Sequence, residues 1–137
     1  MSVEAVALVS GNANVPYGQD IAVRQHRLLA DEPTELGGLD SAPNPHELVQ
    51  GALGACTAIT LRMYAARHGW KIDQLTVEVG HEMVTGPAGG KIDRFTRRIT
   101  VAGALDDGQR ARLLAIAEKC PVSQTLKRGN EVISELA

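Results

Sequence analysis

The sequence is poor in aromatic residues and carries no marked excess of either charge. Phenylalanine, tryptophan and tyrosine together make up 3% of the 137 residues, so few aromatic rings are available to recognise nucleic-acid bases by stacking. The 14 basic and 16 acidic residues give a formal net charge of −2, which does not favour attraction to nucleic acid or to an anionic membrane. We therefore expect neither a nucleic-acid nor a membrane partner.

Long apolar runs and an N-terminal export signal are also missing. No run of 18 apolar residues occurs, which argues against a transmembrane helix. The first residues contain neither a basic segment nor a cleavable apolar stretch, so we expect a cytoplasmic chain whose thiols stay reduced. With 44% hydrophobic and 22% charged residues, the composition is that of a globular protein, and the length predicts a single domain over residues 1–137.

Cysteine is scarce, since only Cys56 and Cys120 occur. They form no Cys-x-x-Cys pair, which disfavours thioredoxin-type exchange, and a reducing compartment disfavours a structural disulfide. Two interpretations stay open for each cysteine: a small buried hydrophobic residue, or half of a redox pair.

The first 45 residues read as strands and turns, with no long helical pattern. Residues 6–9 are β-prone, and residues 11–18 hold a cluster of glycine, asparagine and proline that predicts a turn. Apolar and polar residues alternate imperfectly over residues 20–29, which are predicted as one strand. A loop is predicted over residues 31–45.

A long helix is predicted over residues 45–68. Asn44 suits the N-cap, Pro45 the first helical position and Glu47 the third, as in a capping box. Gly69 suits the residue with a left-handed backbone conformation that ends a helix. One apolar face is predicted from residues spaced three and four apart, namely Ala52, Ala55, Cys56, Ile59, Met63 and Ala66. Because the helix is apolar nearly all round, we expect it in a core or in the interface of a homodimer.

The rest of the chain predicts a hairpin, two helices and a closing strand. Residues 75–79 and 95–101 alternate as a hairpin in which Arg97 is the polar exception on its face. Asp106 caps the next helix, a short helix covers residues 122–126, and a strand covers residues 131–136. The predicted order β-β-α-β-β-α-α-β indicates an α+β fold with antiparallel sheets.

The two cysteines occupy different positions in this scheme. Cys56 lies 12 positions after Asn44, beyond the reach of the helix dipole, so an acidic thiol there would need a cation or hydrogen-bond donors. Cys120 directly precedes Pro121 and could cap the short helix, whose free N–H groups would stabilise a thiolate.

Three segments carry a specific resemblance to a known family. They are Asn-Pro-His-Glu-Leu at 44–48, Ala-Leu-Gly-Ala-Cys at 52–56 and Cys-Pro-Val-Ser-Gln-Thr-Leu at 120–126. In this combination the chain resembles the OsmC/Ohr family of osmotically inducible and organic hydroperoxide resistance proteins, from about residue 19 to residue 136. The resemblance implies an OsmC-like fold with antiparallel sheets around a long central helix, in an intertwined homodimer with two sites at the interface. Residues 26–33 resemble a branch that also occurs fused to α/β-hydrolases.

The same resemblance implies a thiol-dependent peroxidase for defence against oxidative stress. Cys56 would attack the peroxide and become a sulfenic acid, and Cys120 would resolve it to a disulfide. A thiol or dithiol reductant would then restore the pair, and no cofactor is implied. The apolar helix face around Cys56 predicts an organic hydroperoxide as the substrate.

Other residues depart from the family pattern. The family carboxylate follows Asn-Pro directly, where this chain has His46, and Glu47 comes one residue later. Glu47 is thus a candidate catalytic group or a helix cap. The family arginine has no clean counterpart, although Arg27 is a candidate, with Arg24 as its alternative.

Two further alternatives follow from these departures. One is a non-catalytic binding or partner module with an inert Cys56. The other is a metal site built from the cysteines and from histidines at positions 26, 46, 68 and 81, but no zinc-ligand spacing matches. We therefore expect no metal.

Overall fold

A computed structural model describes residues 5–137 and confirms the α+β class with antiparallel sheets. The chain divides into two compact units, one ending at Val49 and one beginning at Gln50, and the single domain over residues 1–137 stays a prediction. The elements are β1 (Ala7–Asn12), β2 (Val15–Val23), β3 (His26–Ala30), a 3-10 turn (Thr34–Leu36), α1 (Pro45–Arg67), β4 (Gln74–Thr85), β5 (Lys91–Ala102), α2 (Asp107–Ala117) and α3 (Pro121–Lys127). Within the described residues, no helix combines the length and apolarity needed to cross a bilayer.

The first unit contains a three-stranded antiparallel sheet in the order β1-β2-β3. The prediction of one strand over residues 20–29 is wrong, because a two-residue turn at Arg24 and Gln25 divides it and pairs Val23 with His26. Arg24 takes a left-handed φ of 53° there, which lets a tight hairpin close and explains the imperfect alternation. The turn predicted over residues 11–18 shrinks to positions 13 and 14.

The loop after β3 is organised by one buried carboxylate. Asp31 is 2% exposed and accepts hydrogen bonds from the Ser41 hydroxyl at 2.7 Å and from the backbone N–H groups of Glu32, Leu39 and Ser41. The hydrogen bonds from Ser41 lower the pKa of Asp31, with help from the Glu32 and Leu39 amides and against the effect of burial. The carboxylate therefore fixes the loop in its charged form.

Helix α1 begins and ends as the sequence predicts. The Glu47 amide donates to Asn44 Oδ1 and the Asn44 amide donates to Glu47 Oε1, each at 2.8 Å. Gly69 follows the helix with a left-handed φ of 70°, where a side chain would be strained. Both signals are local, which is why the sequence reveals them.

In the single chain, helix α1 does not bury the apolar face that the sequence predicts, and that face stays a candidate for the predicted dimer interface. The buried positions recur every four residues at Leu53, Thr57, Leu61 and Ala65, whereas Ile59 and Met63 on the predicted face are each 58% exposed. Because apolar residues occur all round the helix, the elements that pack against it decide which side is buried. Leu61 packs with Leu113, Ile116 and Ala117 of α2 in the core of the second unit.

The hairpin and the second helix of this unit follow the prediction. Strands β4 and β5 pair antiparallel from Gln74↔Ala102 to Thr85↔Lys91. Asp106 and Gln109 form a reciprocal capping box at the start of α2. Side chains from the hairpin and from the connections next to it pack against the core, namely Ile72, Leu75, Ile99, Val101 and Leu105.

The strand predicted over residues 131–136 is wrong for the single chain. This segment has no regular secondary structure, and Val132 is 87% exposed. A strand needs a neighbouring edge for its hydrogen bonds, and this segment pairs with neither of the described sheets. The observed order is therefore β-β-β-α-β-β-α-α.

Candidate active site

The structure brings the two cysteines to the first turn of α3. The Val122 amide donates to Cys56 Sγ at 3.5 Å, and the next amide, that of Ser123, donates to Cys120 Sγ at 3.3 Å. Consecutive amides thus contact the two sulfurs, both of which are free thiols. Cys120 is the N-cap of α3, so the capping role predicted for it is confirmed.

The two thiols differ in their access to solvent. Cys120 has 0% of its surface exposed, whereas Cys56 on α1 is partly exposed. A molecule arriving from solvent can therefore meet the sulfur of Cys56 and not that of Cys120.

A partly buried arginine, Arg97 on β5, lies near enough to Cys120 for its charge to act on that thiol. Its side chain is 12% exposed, and Nη1 donates to the Ala117 carbonyl at 2.9 Å and to Thr57 Oγ1 at 3.1 Å. Nη2 donates to Glu118 Oε1 at 3.3 Å. Sequence reasoning did not include Arg97 among the site residues. The sequence does distinguish Arg97 in one way, since it is the only charged residue on the apolar face of the strand predicted over residues 95–101.

The Thr57 hydroxyl connects this arginine to the buried thiol. Thr57 is fully buried, and its Oγ1 lies 2.7 Å from the Leu53 carbonyl and 3.8 Å from Cys120 Sγ. The hydroxyl has one proton, so it donates to one of these acceptors at a time. Since it also accepts from Arg97, its proton is directed towards the carbonyl or the sulfur.

The environment moves the two thiol pKa values in opposite directions. Burial raises the pKa of Cys56, and the interaction with Cys120 raises it further, against hydrogen bonds from Val122 and Thr60. Burial also acts to raise the pKa of Cys120, but the Ser123 amide, Cys56, Thr57 and the Arg97 charge together lower it.

Glu118 holds Arg97 from the outer side. The hydrogen bond from Lys127 lowers the pKa of Glu118, and the charges of Lys127 and Arg97 act in the same direction against burial. The ionised carboxylate fixes the guanidinium between Thr57 and the end of α2.

Two other predicted site residues make contacts of a different kind. Glu47 caps α1 through its bonds with Asn44. Arg27 pairs with Asp20 at 2.7 Å, and its side chain is 66% exposed. The catalytic roles of Glu47 and Arg27 stay predictions.

Comparison with known proteins gives one family and one fold. The family model for OsmC-like protein matches residues 38–135, and none of the curated proteins searched matches the chain. An OsmC like protein from Mycoplasma pneumoniae has a TM-score of 0.75 at 17% identity, covering 93% of this chain and 89% of that one.

Two further solved structures have similar overlaps. An organic hydroperoxide resistance protein OsmC from Legionella pneumophila has a TM-score of 0.68 at 22% identity, covering 91% of this chain and 90% of that one. The organic hydroperoxide resistance protein OhrB of Bacillus subtilis has a TM-score of 0.63 at 20% identity, covering 91% of each chain. These similarities confirm the predicted OsmC-like fold.

Proposed function

The chain belongs to the OsmC-like protein family, and from this premise we propose that it is a peroxidase that reduces organic hydroperoxides through Cys56 and Cys120. Two solved structures of this fold are described as organic hydroperoxide resistance proteins, which supports a role in oxidative stress. The observation that carries the proposal is the contact of two free thiols with adjacent amides of α3.

The reaction needs both sulfurs in sequence. Cys56 sulfur attacks the outer oxygen of the hydroperoxide, the O–O bond breaks, and the alcohol leaves while Cys56 becomes a sulfenic acid. Cys120 sulfur then attacks the sulfenic sulfur, and water leaves as the disulfide forms. Two thiols have then supplied two electrons to one peroxide. A thiol or dithiol reductant of the cytoplasm restores the pair by exchange.

The surface beside Cys56 supports an organic substrate. On a helix, residues three, four and seven apart lie on one side, and Ala52, Ile59 and Met63 stand in that relation to Cys56. Ile59 and Met63 are large apolar side chains exposed in the single chain. An alkyl or aryl group would bury apolar area there, whereas hydrogen peroxide has no group to do so.

Exposed apolar side chains support the homodimer in this proposal. Besides Ile59 and Met63, the apolar side chains of Val132, Ile133 and Leu136 are exposed. Exposed apolar patches of this kind mark interaction sites, and an edge strand from a second copy would satisfy the unpaired segment over residues 131–136. We expect light scattering to give twice the chain mass, and a monomer at micromolar concentration would contradict the dimer.

Turnover of a hydroperoxide by matched cysteine variants tests the proposed reaction. Cumene hydroperoxide and hydrogen peroxide are supplied separately with dihydrolipoamide as the dithiol, and peroxide loss is followed for wild type, Cys56→Ser and Cys120→Ser. We expect Cys56→Ser to fall to the uncatalysed rate and wild type to favour cumene hydroperoxide. Cys120→Ser should stop after one turnover with a sulfenic acid that dimedone traps. Equal turnover by wild type and Cys56→Ser would overturn the proposal.

The raised pKa of Cys56 favours a second candidate function, a binding or partner module with an unreactive thiol. The rate of Cys56 alkylation by iodoacetamide across pH distinguishes the two functions. Reactivity that appears only near the ordinary thiol pKa of about 8.5 or above, together with no peroxide turnover, would support the module.

A further inference from the structure

The two halves of the proposed redox pair lie on segments that are distant in the sequence. Cys56 lies on α1, and Cys120 lies at the end of the short connection between α2 and α3. A disulfide bond is about 2.0 Å long and joins residues whose Cα atoms are about 4.4–6.8 Å apart. The placement of α1 relative to this connection therefore decides how quickly the second sulfur can close the bond.

Arg97 on β5 contacts both of these segments at once. Towards α1, its Nη1 donates to Thr57 Oγ1 at 3.1 Å, and Thr57 directly follows Cys56. Towards the connection, Nη1 donates to the Ala117 carbonyl at 2.9 Å and Nη2 donates to Glu118 Oε1 at 3.3 Å. One partly buried guanidinium thus joins the residue after one cysteine to the segment that leads to the other.

We propose that Arg97 is a positioning residue for the second step of the cycle, in which Cys120 closes the disulfide with Cys56. The inference deepens the peroxidase function proposed above and rests on it. In this step the Cys120 sulfur bonds to the Cys56 sulfenic sulfur and the sulfur–oxygen bond breaks, so the first sulfur is oxidised and the second is reduced. The hydroxide leaves as water with the Cys120 thiol proton.

Two routes lead from Arg97 to Cys120. The Cys120 amide donates to the Ala117 carbonyl at 3.3 Å, and Arg97 uses the same acceptor. The Thr57 hydroxyl, which accepts from Arg97, lies 3.8 Å from Cys120 Sγ. The backbone and the sulfur of Cys120 are therefore each linked to the guanidinium through one intervening group.

The same network reaches the other end of α3. Glu118 accepts from Lys127 as well as from Arg97, and Lys127 is the last residue of α3. The first turn of this helix carries the amides of Val122 and Ser123 that contact the two sulfurs. By anchoring α3 through Glu118, the network keeps both amides, and with them both sulfurs, side by side.

The acceptors around Arg97 do not depend on it for their hydrogen bonds. Without it, the Ala117 carbonyl would still accept from the Cys120 amide, and the half-exposed Glu118 would keep its bond with Lys127. The threonine hydroxyl would still have the carbonyl one turn earlier as a partner. Since each acceptor keeps a partner, the folded chain should tolerate an apolar side chain of similar length at this position. Positioning explains a charge here better than stability does.

The lifetime of the sulfenic acid tests this role. One equivalent of cumene hydroperoxide is added to reduced protein, and dimedone trapping with mass spectrometry follows the sulfenic acid and the disulfide over time. In Arg97→Met we expect the sulfenic acid to form at the wild-type rate and the disulfide to form about tenfold more slowly or worse, because a misplacement of about 1 Å can cost about 100-fold in rate. Excess peroxide should then convert more of the sulfenic acid to sulfinic acid.

Matched variants separate positioning from a loss of folding, which urea unfolding reports for each of them. Thr57→Val keeps the buried shape without the hydroxyl and should slow closure, whereas Thr57→Ser keeps the hydroxyl and should close at about the wild-type rate. Arg97→Lys keeps the charge but not the fork of two nitrogens, so it should restore closure in part. Arg94→Met should close like wild type, because Arg94 lies on the same strand in an exposed pair with Glu82.

Equilibrium with glutathione provides a readout that does not depend on peroxide. The fraction of protein with a Cys56–Cys120 disulfide is measured by mass spectrometry over a series of reduced and oxidised glutathione concentrations. The midpoint gives the effective concentration of one thiol at the other. Arg97→Met should lower this effective concentration about tenfold, in step with the rate of closure.

Unchanged closure and an unchanged effective concentration in both Arg97→Met and Thr57→Val would overturn the inference. Equal slowing of sulfenic acid and disulfide formation would also overturn it, since a general loss of structure predicts that result. If Arg97→Met does not fold, the two Thr57 variants decide by the same readouts. A wild type that forms the disulfide in glutathione but does not react with cumene hydroperoxide would instead overturn the peroxidase function, and the glutathione midpoints would then decide whether Arg97 positions the thiols.

Discussion

Asp31 and Cys120 are both buried and both accept hydrogen bonds, but their surroundings are built in opposite ways. Asp31, in the first unit, takes its hydrogen bonds from Glu32, Leu39 and Ser41, all within ten positions. Cys120, in the second unit, has the adjacent Ser123 amide but also Thr57, which lies 63 positions away, and Arg97 on another element. The first centre is local and the second is assembled by tertiary packing.

The difference separates a carboxylate that fixes a loop from a thiol placed for the proposed redox reaction. The Asp31 carboxylate accepts four donors and has no second titratable group among them, so it fixes a loop. The Cys120 thiol has the Cys56 thiol as a neighbour, which the proposed disulfide requires. The proposed reactivity of Cys120 depends on groups that tertiary packing brings together from distant parts of the sequence. A substitution that disrupts this packing should therefore reduce the reactivity.

The largest effect is expected from breaking that packing. Leu61→Ala removes a fully buried side chain that packs against α2, and such truncations cost about 2–5 kcal/mol. Urea unfolding measures the loss, and the rate of peroxide turnover should fall with it because α1 carries Thr57 and Cys56. Met83→Ala, at an exposed position on β4, is the control and should stay within about 0.5 kcal/mol. A Leu61→Ala loss below 1 kcal/mol would mean that the assembled centre does not depend on this core.

A smaller effect is expected from breaking the local centre. The folded pKa of Asp31 lies below its ordinary value, so its contribution is fully present above the unfolded pKa of about 3.9 and is lost as pH falls through the folded value. Asp31→Asn should therefore be less stable than wild type at neutral pH, with a difference that shrinks on acidification. Urea unfolding over a pH series measures this.

The matched control for that variant is Asp40→Asn in the same loop. Asp40 is exposed and has a positive φ of 51°, which asparagine tolerates. Its pH dependence should follow wild type. An equal loss at every pH in Asp31→Asn would show that the charge is not what fixes the loop.

The smallest effect is expected at Glu47. Glutamine still accepts at the third position of a capping box, so Glu47→Gln should change stability by only a few tenths of a kcal/mol and leave the rate of Cys56 oxidation unchanged. Arg27→Met is a companion variant, since exposed ion pairs contribute about 0–1 kcal/mol. A tenfold or greater fall in oxidation rate in either variant would support the predicted catalytic role of that residue.

The parts of the fold predicted correctly are those whose signals are local. The caps at Asn44, Asp106 and Cys120 each depend on hydrogen bonds within three residues, and the β4–β5 hairpin follows from alternation along each strand. The division of residues 20–29 was missed because one residue, Arg24, takes an unusual backbone angle. The segment over residues 131–136 has the composition of a strand without an edge to pair with in the chain.

By itself, the sequence determined the α+β class, the helix boundaries, the cap made by Cys120 and, by resemblance, the importance of the two thiols. Only the tertiary structure decided which face of α1 is buried, which thiol is hidden and which arginine stands beside it. Caps and alternation depend on neighbours along the chain, whereas burial and the field at a sulfur depend on groups that meet only when α1, β5, α2 and α3 pack together. Arg97 is the clearest case. In the sequence it is the one charged residue among Phe95, Ile99 and Val101 on a strand face, and in the fold it is a hydrogen-bond partner of Thr57.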